Sequence, residues 1–304
     1  MLPHNPLICS RALFDYYMER IPSPEPVSQD YLDTLHPAMK KWRERRGVDD
    51  LTPEQNRRGL AAYYGLVTEL DGNIGRIAGA VRASPEADRT VIIYCSDHGD
   101  MACEHGMWWK SSFYDGSARV PFIVSWPQQL LRGKKNHAVI SLIDVGPTVL
   151  DLAGAAPLPD VSGRSFAGFL SGDGTIPDWP NEVFSEYIGL LGDQPSCMVR
   201  IGPWKLNYYH EFQSCQLFNM DEDPDEMHDR AEDPACREIV EDCLARIHRR
   251  WSAGRILKNA EKQNRAKDLI PRCEYGLMPH PVSPFAAPEG CNRFDFSQLP
   301  GNRP

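Results

Sequence analysis

The feature that most constrains this chain is a run of apolar residues that passes without a break into a polar turn. The run is Val91-Ile92-Ile93-Tyr94-Cys95, and Ser96-Asp97-His98-Gly99-Asp100 follows it directly. Buried strands of α/β sheets read as continuous apolar runs, and their carboxyl ends deliver polar side chains to one edge of the sheet. We therefore predict an α/β fold with a buried central strand here, and we expect the chemistry of the molecule in the turn after it.

A long amphipathic helix is predicted before this strand. Thr52 and Gln55 read as a capping box around Pro53, and apolar residues then recur at helical spacing to about Arg82. The other elements predicted in this half are strands from Thr90 to Cys95 and from Val120 to Ser125, and a capped helix from Ser141 to Gly154.

The pattern changes after about residue 180, where short apolar or alternating runs are separated by turn residues. This pattern predicts a small antiparallel sheet with a helix from about Pro234 to Ser252 packed on it. We divide the chain into an α/β portion (1–180), an antiparallel subdomain (181–267) and an extended tail (268–304). The predicted strands are Glu182 to Tyr187, Ser196 to Ile201, Trp204 to Tyr209 and Gln216 to Asn219.

Composition narrows the classes of partner. The net charge of −9 disfavours nucleic acid and anionic membranes, which would repel the protein. No apolar run is long enough to span a bilayer, and the first residues lack the pattern of a signal peptide. Nine cysteines without C-x-x-C spacing are typical of reduced thiols, so we predict a cytoplasmic protein. The Pro- and Gly-rich tail is compatible with a homo-oligomer.

The polar turn and the residues after it are similar to those of a known enzyme family. A strand, Ser96-Asp97-His98-Gly99 and a lysine at position 110 resemble the sulfatase branch of the alkaline-phosphatase-like hydrolases, and the similarity continues through 111–124 and 217–226. The resemblance implies a central mixed sheet flanked by helices, with a smaller C-terminal antiparallel sheet and helix. It also implies metal-dependent hydrolysis of a small-molecule sulfate monoester.

Asp97 and His98 are the candidate metal ligands. A carboxylate oxygen and an imidazole nitrogen that are adjacent on a turn can converge on one divalent ion. Taken alone, such a pair is equally typical of a helix N-cap beside a surface histidine. In the family that this run resembles, the two positions complete a metal site. The resemblance therefore implies that Asp97 and His98 bind a metal, and the histidine nitrogen leaves calcium, manganese and magnesium open.

Lys110 and His4 are the candidate catalytic residues. A lysine after Met107-Trp108-Trp109 is most often a surface residue, and a histidine between prolines is usually a turn residue. The resemblance implies a catalytic role for both residues. In the family, the lysine binds a sulfuryl oxygen and the histidine of the H-x-P segment hydrogen-bonds the leaving group. An ammonium group suits charge that develops on a tetrahedral centre, and an imidazole can protonate a departing alkoxide.

Other side chains near the turn have weaker assignments. His105, Trp108 and Trp109 either line the substrate mouth or serve as loop and core anchors, since aromatic faces attract cationic alcohols but most often pack in cores. Arg119 is expected to pair internally with a carboxylate such as Asp115.

The sequence departs from the family in one respect. Sulfatases carry C-x-P-x-R or S-x-P-x-R, whose first residue becomes the formylglycine nucleophile, and none of the nine cysteines begins this pattern. Cys9-Ser10-Arg11 lacks the proline, and no strand ending in paired aspartates precedes the long helix. We therefore expect a chain that lacks the N-terminal nucleophile segment and is inactive alone.

Three functions follow from these residues. The first is sulfuric ester hydrolysis. The second is hydrolysis of phosphonate monoesters or phosphodiesters within the same superfamily, where Asp97, His98, Lys110 and His4 keep similar roles. The third is a non-catalytic module that binds an anion, a metal or a partner. Substrate panels separate the first two, and a C-x-P-x-R segment in the upstream coding sequence separates both from the third.

Overall fold

The computed structural model describes residues 2–127, 129–130, 132–189 and 194–277, with side chains to residue 265. The chain divides into two compact units, Met1–Ala253 and Gly254–Pro304. The helices of the first unit are α1 (Arg11–Met18), α2 (Gln29–Thr34), α3 (Pro37–Arg46), α4 (Pro53–Arg82), α5 (Asp115–Ala118), α6 (Val145–Leu152) and α7 (Arg237–Arg250). Its strands are β1 (Ile92–Cys95), β2 (Phe122–Ser125), β3 (Glu182–Tyr187), β4 (Ser196–Ile201), β5 (Trp204–Tyr209) and β6 (Ser214–Asn219).

The long helix α4 has the predicted bounds. Its N-terminus is closed by the predicted capping box, in which the Thr52 hydroxyl accepts from the Gln55 N–H. Helix α1 packs along its middle, where a Cβ on Gly65 would lie 2.5 Å from Cys9 Sγ and the Tyr17 hydroxyl lies 2.7 Å from Thr68 Oγ1. Because α1 follows the first residues of the chain, this packing places His4 near the body of the unit.

The strand before the polar turn is less buried than predicted. β1 pairs with β2 in an antiparallel ladder from Ile92↔Ser125 to Cys95↔Phe122. Within the described ranges no third strand joins this pair, and the side chains of β1 are half-buried or exposed. The prediction of a buried central strand is therefore wrong for this strand, because an apolar run shows which residues can be buried while neighbouring elements decide whether they are.

The C-terminal sheet has the predicted strands and antiparallel pairing. Its order is β3-β4-β5-β6, with Glu182 opposite Ile201 and Trp204 opposite Asn219. Helix α7 packs on β4 and β5. A core cluster joins this sheet to α3 and to the loop before α5. The cluster consists of Leu35, Met39, Met101, Met107, Tyr114, Tyr209, Phe218 and Met220.

The second unit begins one residue into the eighth helix, α8 (Ala253–Leu277). The sequence predicts extended chain from Asp268, but the helix continues to Leu277, because the preceding run of Lys, Glu, Gln and Arg residues has high helix propensity. The remainder of the predicted tail, 278–304, lies outside the described residues. None of the helices in the described part is both long enough and apolar enough to cross a membrane.

Candidate active site

The loop that carries Lys110 has an unusual backbone. Among the described non-glycine residues ten have positive φ, and five of these lie between Ala102 and Ser111. Trp109 (φ 66°) and Ser111 (φ 79°) flank Lys110 directly. Each such residue costs on the order of 1–3 kcal/mol and persists only where its surroundings hold it. Asp100 does so here, because its Oδ1 accepts from the N–H groups of Ala102 and Trp109, both at 3.0 Å.

Asp97 and His98 are brought together at the end of β1. His98 Nε2 lies 3.7 Å from Asp97 Oδ2, and the His98 Nδ1–H donates to the Gly99 carbonyl oxygen at 2.8 Å. Asp97 is 76% exposed. Its slight burial raises the pKa of Asp97, but the adjacent His98 and hydrogen bonds from nearby backbone N–H groups and the Ser96 hydroxyl outweigh this and lower it.

This donor pair fits a divalent metal. Histidine ligands usually donate their second ring N–H to a carbonyl or carboxylate, which fixes the tautomer and presents the other nitrogen to the ion. His98 meets that condition, and its free Nε2 faces the Asp97 carboxylate. The described part of the chain contains no group of three or more His, Cys, Asp or Glu side chains that could hold a metal ion. Asp97 and His98 would therefore supply two ligands.

His4 and Lys110 are in direct contact, although 106 positions separate them. Lys110 Nζ lies 2.8 Å from His4 Nε2, and His4 Nδ1 lies 2.7 Å from the Asn5 carbonyl oxygen. A carbonyl can only accept, so Nδ1 carries the proton and Nε2 accepts from the Lys110 ammonium. Both candidate catalytic side chains therefore meet at one point. No hydrogen bond among the described residues links them to the Asp97–His98 pair.

The turn that carries Asp97 and His98 packs backbone to backbone against α5. The Gly99 N–H donates to the Ser117 carbonyl oxygen at 2.8 Å. A Cβ on Gly99 would lie 2.1 Å from the Gly116 carbonyl oxygen, so a larger residue cannot be accommodated without a backbone shift. The position of the turn that carries Asp97 and His98 therefore depends on that of α5.

A buried ion network holds α5. Lys205 Nζ on β5 lies 2.7 Å from Asp115 Oδ1 and 2.8 Å from Glu226 Oε1. The side chains of Lys205 and Glu226 are 1% and 2% exposed, and the Asp115 N–H donates to Glu226 Oε2. The predicted Arg119–Asp115 pair is present at 3.8 Å, but Arg119 is 77% exposed. Because a buried charge needs a partner, Lys205 is the principal cation here.

His105 lies in the interior of the loop. Its ring stacks on Tyr114 at 4.0 Å between centroids, its Nδ1 contacts the Tyr31 hydroxyl, and its carbonyl oxygen accepts from Arg43 Nη1 at 2.9 Å. Burial, followed by the positive charge of Lys205, lowers the pKa of His105 to about 4. The environment favours the loop-anchoring alternative for this residue.

The two tryptophans before Lys110 have different surroundings. Trp108 is 6% exposed, and its indole N–H donates to Asn56 Oδ1 at 2.8 Å. Its ring lies against α4, where a Cβ on Gly59 would be 2.8 Å away. Trp109 is half-buried and lies 5.8 Å from the Arg46 guanidinium. The surroundings favour Trp108 as a core anchor, and the substrate assignment stays a prediction for Trp109.

The sequence analysis missed Lys205 and Glu226. Lys205 is the one charged residue in the strand Trp204-Lys205-Leu206-Asn207-Tyr208-Tyr209, and a lone cation among apolar and aromatic residues is a signal for a buried ion pair. Glu226 ends the segment 217–226, whose resemblance to the family gave it no role.

Two family models match the chain. The model for sulfatases matches residues 27–155, and the model for the C-terminal part of N-sulphoglucosamine sulphohydrolase matches residues 103–252. Together they include Asp97, His98 and Lys110 as well as the network around Lys205.

Curated relatives agree. Arylsulfatase K from Danio rerio is 35% identical over 180 residues, which is 58% of this chain and 34% of that protein. A choline-sulfatase from Rhizobium meliloti is 32% identical over 76% of this chain and 45% of that protein. The chain thus spans less than half the length of these relatives.

Solved structures agree in fold. A phosphonate monoester hydrolase from Silicibacter pomeroyi has a TM-score of 0.70 at 26% identity and covers 81% of this chain and 53% of its own. A protein solved with its substrate D-glucosamine-2-N,6-O-disulfate has a TM-score of 0.61 at 24% identity, over 73% of this chain and 46% of its own. These neighbours confirm the alkaline-phosphatase-like α/β fold.

The relatives overturn the predicted location. The arylsulfatase K proteins, including those from Danio rerio and Homo sapiens, are lumenal or secreted sulfatases, so the cytoplasmic prediction is wrong. The cytoplasmic prediction depended on the spacing of the cysteines. Burial raises the pKa of Cys103, Cys197 and Cys243 to about 12, which disfavours the thiolate form, so a free thiol at these positions does not identify the redox compartment.

The family models, the relatives and the neighbouring folds agree with the resemblance carried by the strand, the Ser96–Gly99 turn and Lys110. The chain belongs to the sulfatase family.

Proposed function

We propose that this chain contributes to the hydrolysis of sulfate monoesters, with Lys110 and His4 at the reacting group and Asp97 and His98 at a divalent metal. The observation that carries the proposal is the 2.8 Å contact between Lys110 Nζ and His4 Nε2. Two side chains so far apart in sequence meet in an otherwise open site, and the resemblance independently gives both a role in cleaving the ester.

Lys110 supplies a positive charge beside the sulfuryl oxygens. Its backbone is flanked by two residues with positive φ, and its ammonium group is held by His4 Nε2 at 2.8 Å. A preorganised charge stabilises a transition state more than the ground state, because negative charge is redistributed as the ester bond breaks.

His4 is suited to the leaving group. In the arrangement seen here Nε2 accepts from Lys110, and Nδ1–H is held by the Asn5 carbonyl oxygen. When the Lys110 ammonium contacts a bound sulfate, Nε2 is released, takes up a proton from solvent, and can then donate that proton to the departing alkoxide. The pair thus exchanges one internal contact for two contacts with substrate.

Asp97 and His98 would hold the metal through one carboxylate oxygen and Nε2. Such an ion supplies Lewis-acid stabilisation of charge on the sulfuryl oxygens. The printed sequence contains no C-x-P-x-R or S-x-P-x-R motif, so the proposal assigns the nucleophile to none of its 304 residues.

The test compares the chain with the longest open reading frame that contains it. We expect the 304-residue chain to give no turnover of an aryl sulfate with manganese or calcium. A longer protein that includes a C-x-P-x-R segment should hydrolyse the ester, and Lys110→Ala and His4→Ala should each lower the rate by roughly two to four orders of magnitude. His4→Ala should affect alkyl sulfates more than aryl sulfates, whose leaving groups depart without a proton.

Two results would count against the proposal. One is turnover by the 304-residue chain that Lys110→Ala leaves unchanged. The other is a longer protein with the motif that hydrolyses no sulfate ester, which favours the non-catalytic, anion-binding alternative.

A second function, phosphonate monoester hydrolysis, is supported by one observation. The phosphonate monoester hydrolase from Silicibacter pomeroyi matches this chain with a TM-score of 0.70 at 26% identity. The same side chains would act on phosphoryl oxygens. A preference of the longer protein for phenyl phosphonate over phenyl sulfate would promote this function over the first.

A further inference from the structure

A closed loop precedes Lys110 in the chain. At its base the Met101 N–H donates to the Trp109 carbonyl oxygen at 2.7 Å. Further along, the Cys103 N–H donates to the Met107 carbonyl oxygen at 2.8 Å. The two ends of the loop therefore lie side by side, and Lys110 follows the point at which the loop closes.

The carboxylate of Asp100 lies at this closure. Its Oδ1 accepts from the Ala102 N–H and from the Trp109 N–H, both at 3.0 Å. The bond to Ala102 spans two positions and is the ordinary turn contact of an aspartate with nearby backbone. The bond to Trp109 spans nine positions and joins the two ends of the loop. A turn residue needs only the first bond, so the second bond indicates a further role.

Trp109, which the second bond holds, is the residue directly before Lys110. Its φ of 66° is unfavourable for a bulky side chain and persists only where the surroundings hold it. Asp100 binds its N–H and Met101 binds its carbonyl oxygen, so both backbone polar groups of Trp109 have partners at the opposite end of the loop. The backbone conformation from which Lys110 extends therefore depends on Asp100.

The backbone before Asp100 is fixed as well. The Gly99 N–H donates to the Ser117 carbonyl oxygen at 2.8 Å, and a Cβ at Gly99 has no space. Gly99 directly follows His98. Asp100 thus connects the turn that carries the proposed metal ligands to Trp109 through one hydrogen bond, a shorter path than the loop itself.

We propose that Asp100 is a positioning residue for Lys110. By holding the Trp109 N–H, it keeps the Lys110 ammonium in contact with His4. It also fixes the distance between Lys110 and the Asp97–His98 turn. Asp100 acts as a hydrogen-bond acceptor of defined position, and its negative charge is not required. This inference rests on the proposed function and deepens it, because it names the residue that sets the geometry of the same site.

The experiment measures two quantities in the 304-residue chain, and neither requires hydrolysis. One is the nitrogen NMR signal of His4 Nε2, which moves when the Lys110 ammonium no longer donates to it; Lys110→Ala defines the signal of the broken contact. The other is the affinity for inorganic sulfate. In Asp100→Ala the signal should move toward that of Lys110→Ala, and sulfate should bind about tenfold more weakly, the loss expected for one hydrogen bond to a charged group.

Two conservative variants separate position from charge, and they decide the test if Asp100→Ala does not fold. Asp100→Asn keeps an oxygen that can accept from both N–H groups, so its sulfate affinity should stay within about twofold of wild type. Asp100→Glu keeps the charge but moves the oxygens by one methylene, so it should resemble Asp100→Ala.

Asp229→Ala is the matched control. Asp229 Oδ1 also accepts from two backbone N–H groups, those of Leu217 and Ala231, both at 2.9 Å, and it lies outside the loop. Urea denaturation should show a loss of stability similar to that of Asp100→Ala. The His4 signal and the sulfate affinity should stay as in wild type.

An Asp100→Ala variant that keeps the wild-type signal and affinity would overturn the proposal, as would an Asp100→Glu variant that binds sulfate better than Asp100→Asn. A loss of both quantities in Asp229→Ala would also overturn it, because general destabilisation would then explain the effect. A wild-type chain that binds no sulfate would contradict the proposed function, and the His4 signal alone would then decide the role of Asp100.

Discussion

Charged side chains occur in two contrasting arrangements in this molecule. Around α5 the network of Lys205, Asp115 and Glu226 is buried, and each charge has a partner within 3 Å. Around the proposed active site, Asp97 is 76% exposed and His4 is also exposed. The first arrangement is satisfied by the protein itself, whereas the second leaves charge and lone pairs directed toward solvent.

This difference distinguishes charged groups that stabilise the fold from charged groups that are available to bind a ligand. A buried ion must be paired, so removal of one member is costly, whereas exposed groups contribute little to stability and can be used for binding. The two arrangements are connected, because the network holds α5 and the Asp97–His98 turn packs on α5 through Gly99. Stability and function are therefore expected to respond differently to substitutions in the two regions.

The largest effect is expected from Lys205→Met. It removes the cation that lies within 3 Å of both the Asp115 and the Glu226 carboxylates, and breaking a buried pair costs about 3–5 kcal/mol of the free energy of unfolding. Urea denaturation measures the loss. Arg119→Gln removes the exposed partner of Asp115 and should cost less than about 1 kcal/mol. The double substitution Lys205→Met, Glu226→Gln should recover part of the loss, and no recovery would contradict a charge-based network.

The next largest loss of stability is expected at Gly99, where the Asp97–His98 turn contacts α5. Gly99→Ala places a Cβ 2.1 Å from the Gly116 carbonyl oxygen, so the turn must move. We expect a loss of roughly 1–3 kcal/mol, the range for overpacking. Gly75→Ala on α4, where a Cβ meets nothing within 4 Å, should instead stabilise by about 0.5–1 kcal/mol.

Metal binding provides a second measurement on the Gly99 variant. The two ligands Asp97 and His98 alone should bind manganese weakly, with a Kd above about 0.1 mM, because two donors replace little of the hydration shell. Gly99→Ala should weaken this binding further. A site of sub-micromolar affinity that survives Asp97→Ala would show that the metal binds elsewhere.

A smaller effect is expected from pH. Burial lowers the pKa of His36 to about 4, and burial with the charge of Lys205 does the same for His105. The unfolded chain has histidine pKa values near about 6.5, so between about pH 6.5 and 4 it takes up protons that the folded chain does not. The free energy of unfolding should therefore fall as pH falls through this window, by at most about 1.4 kcal/mol per pH unit for each histidine.

His105→Asn sharpens this test. Asparagine tolerates the positive φ at this position, 52°, and does not titrate, so the variant should show a flatter pH dependence than wild type in urea denaturation. His228→Asn, at an 83% exposed side chain, is the control and should retain the wild-type slope. Equal slopes for wild type and His105→Asn would show that the buried imidazole does not titrate with folding.

The sequence predicted elements that depend on local pattern. The bounds of α4 and of β3, β4 and β5 match, because a capping box, helical periodicity and turn residues act over a few positions. The contact between His4 and Lys110 agrees with the family resemblance, but nothing local in either segment indicates it.

Long-range burial was not predictable in the same way. Asp115 lies 90 positions from Lys205 and 111 from Glu226, so no local pattern connects them. The half-burial of β1 and the burial of Trp108 likewise depend on which elements pack against them. A run of apolar residues does not show by itself whether a neighbouring element will cover it. The family resemblance singled out Lys110 and His4, whose roles stay predictions, but it did not indicate the buried network that supports α5.

The smallest effect on stability is expected for substitutions of Lys110 and His4, the residues for which the largest effect on function is proposed. Lys110 contacts His4 near the surface, and such a contact contributes about 0–1 kcal/mol. Lys110→Ala and His4→Ala should therefore change the free energy of unfolding by less than about 0.5 kcal/mol in urea denaturation, while Lys205→Met unfolds far more easily. Binding of inorganic sulfate by the same variants should show the opposite order, with Lys110→Ala weakened most. A loss above about 2 kcal/mol for Lys110→Ala would place this lysine with the structural charges, because only a desolvated, paired cation costs that much to remove.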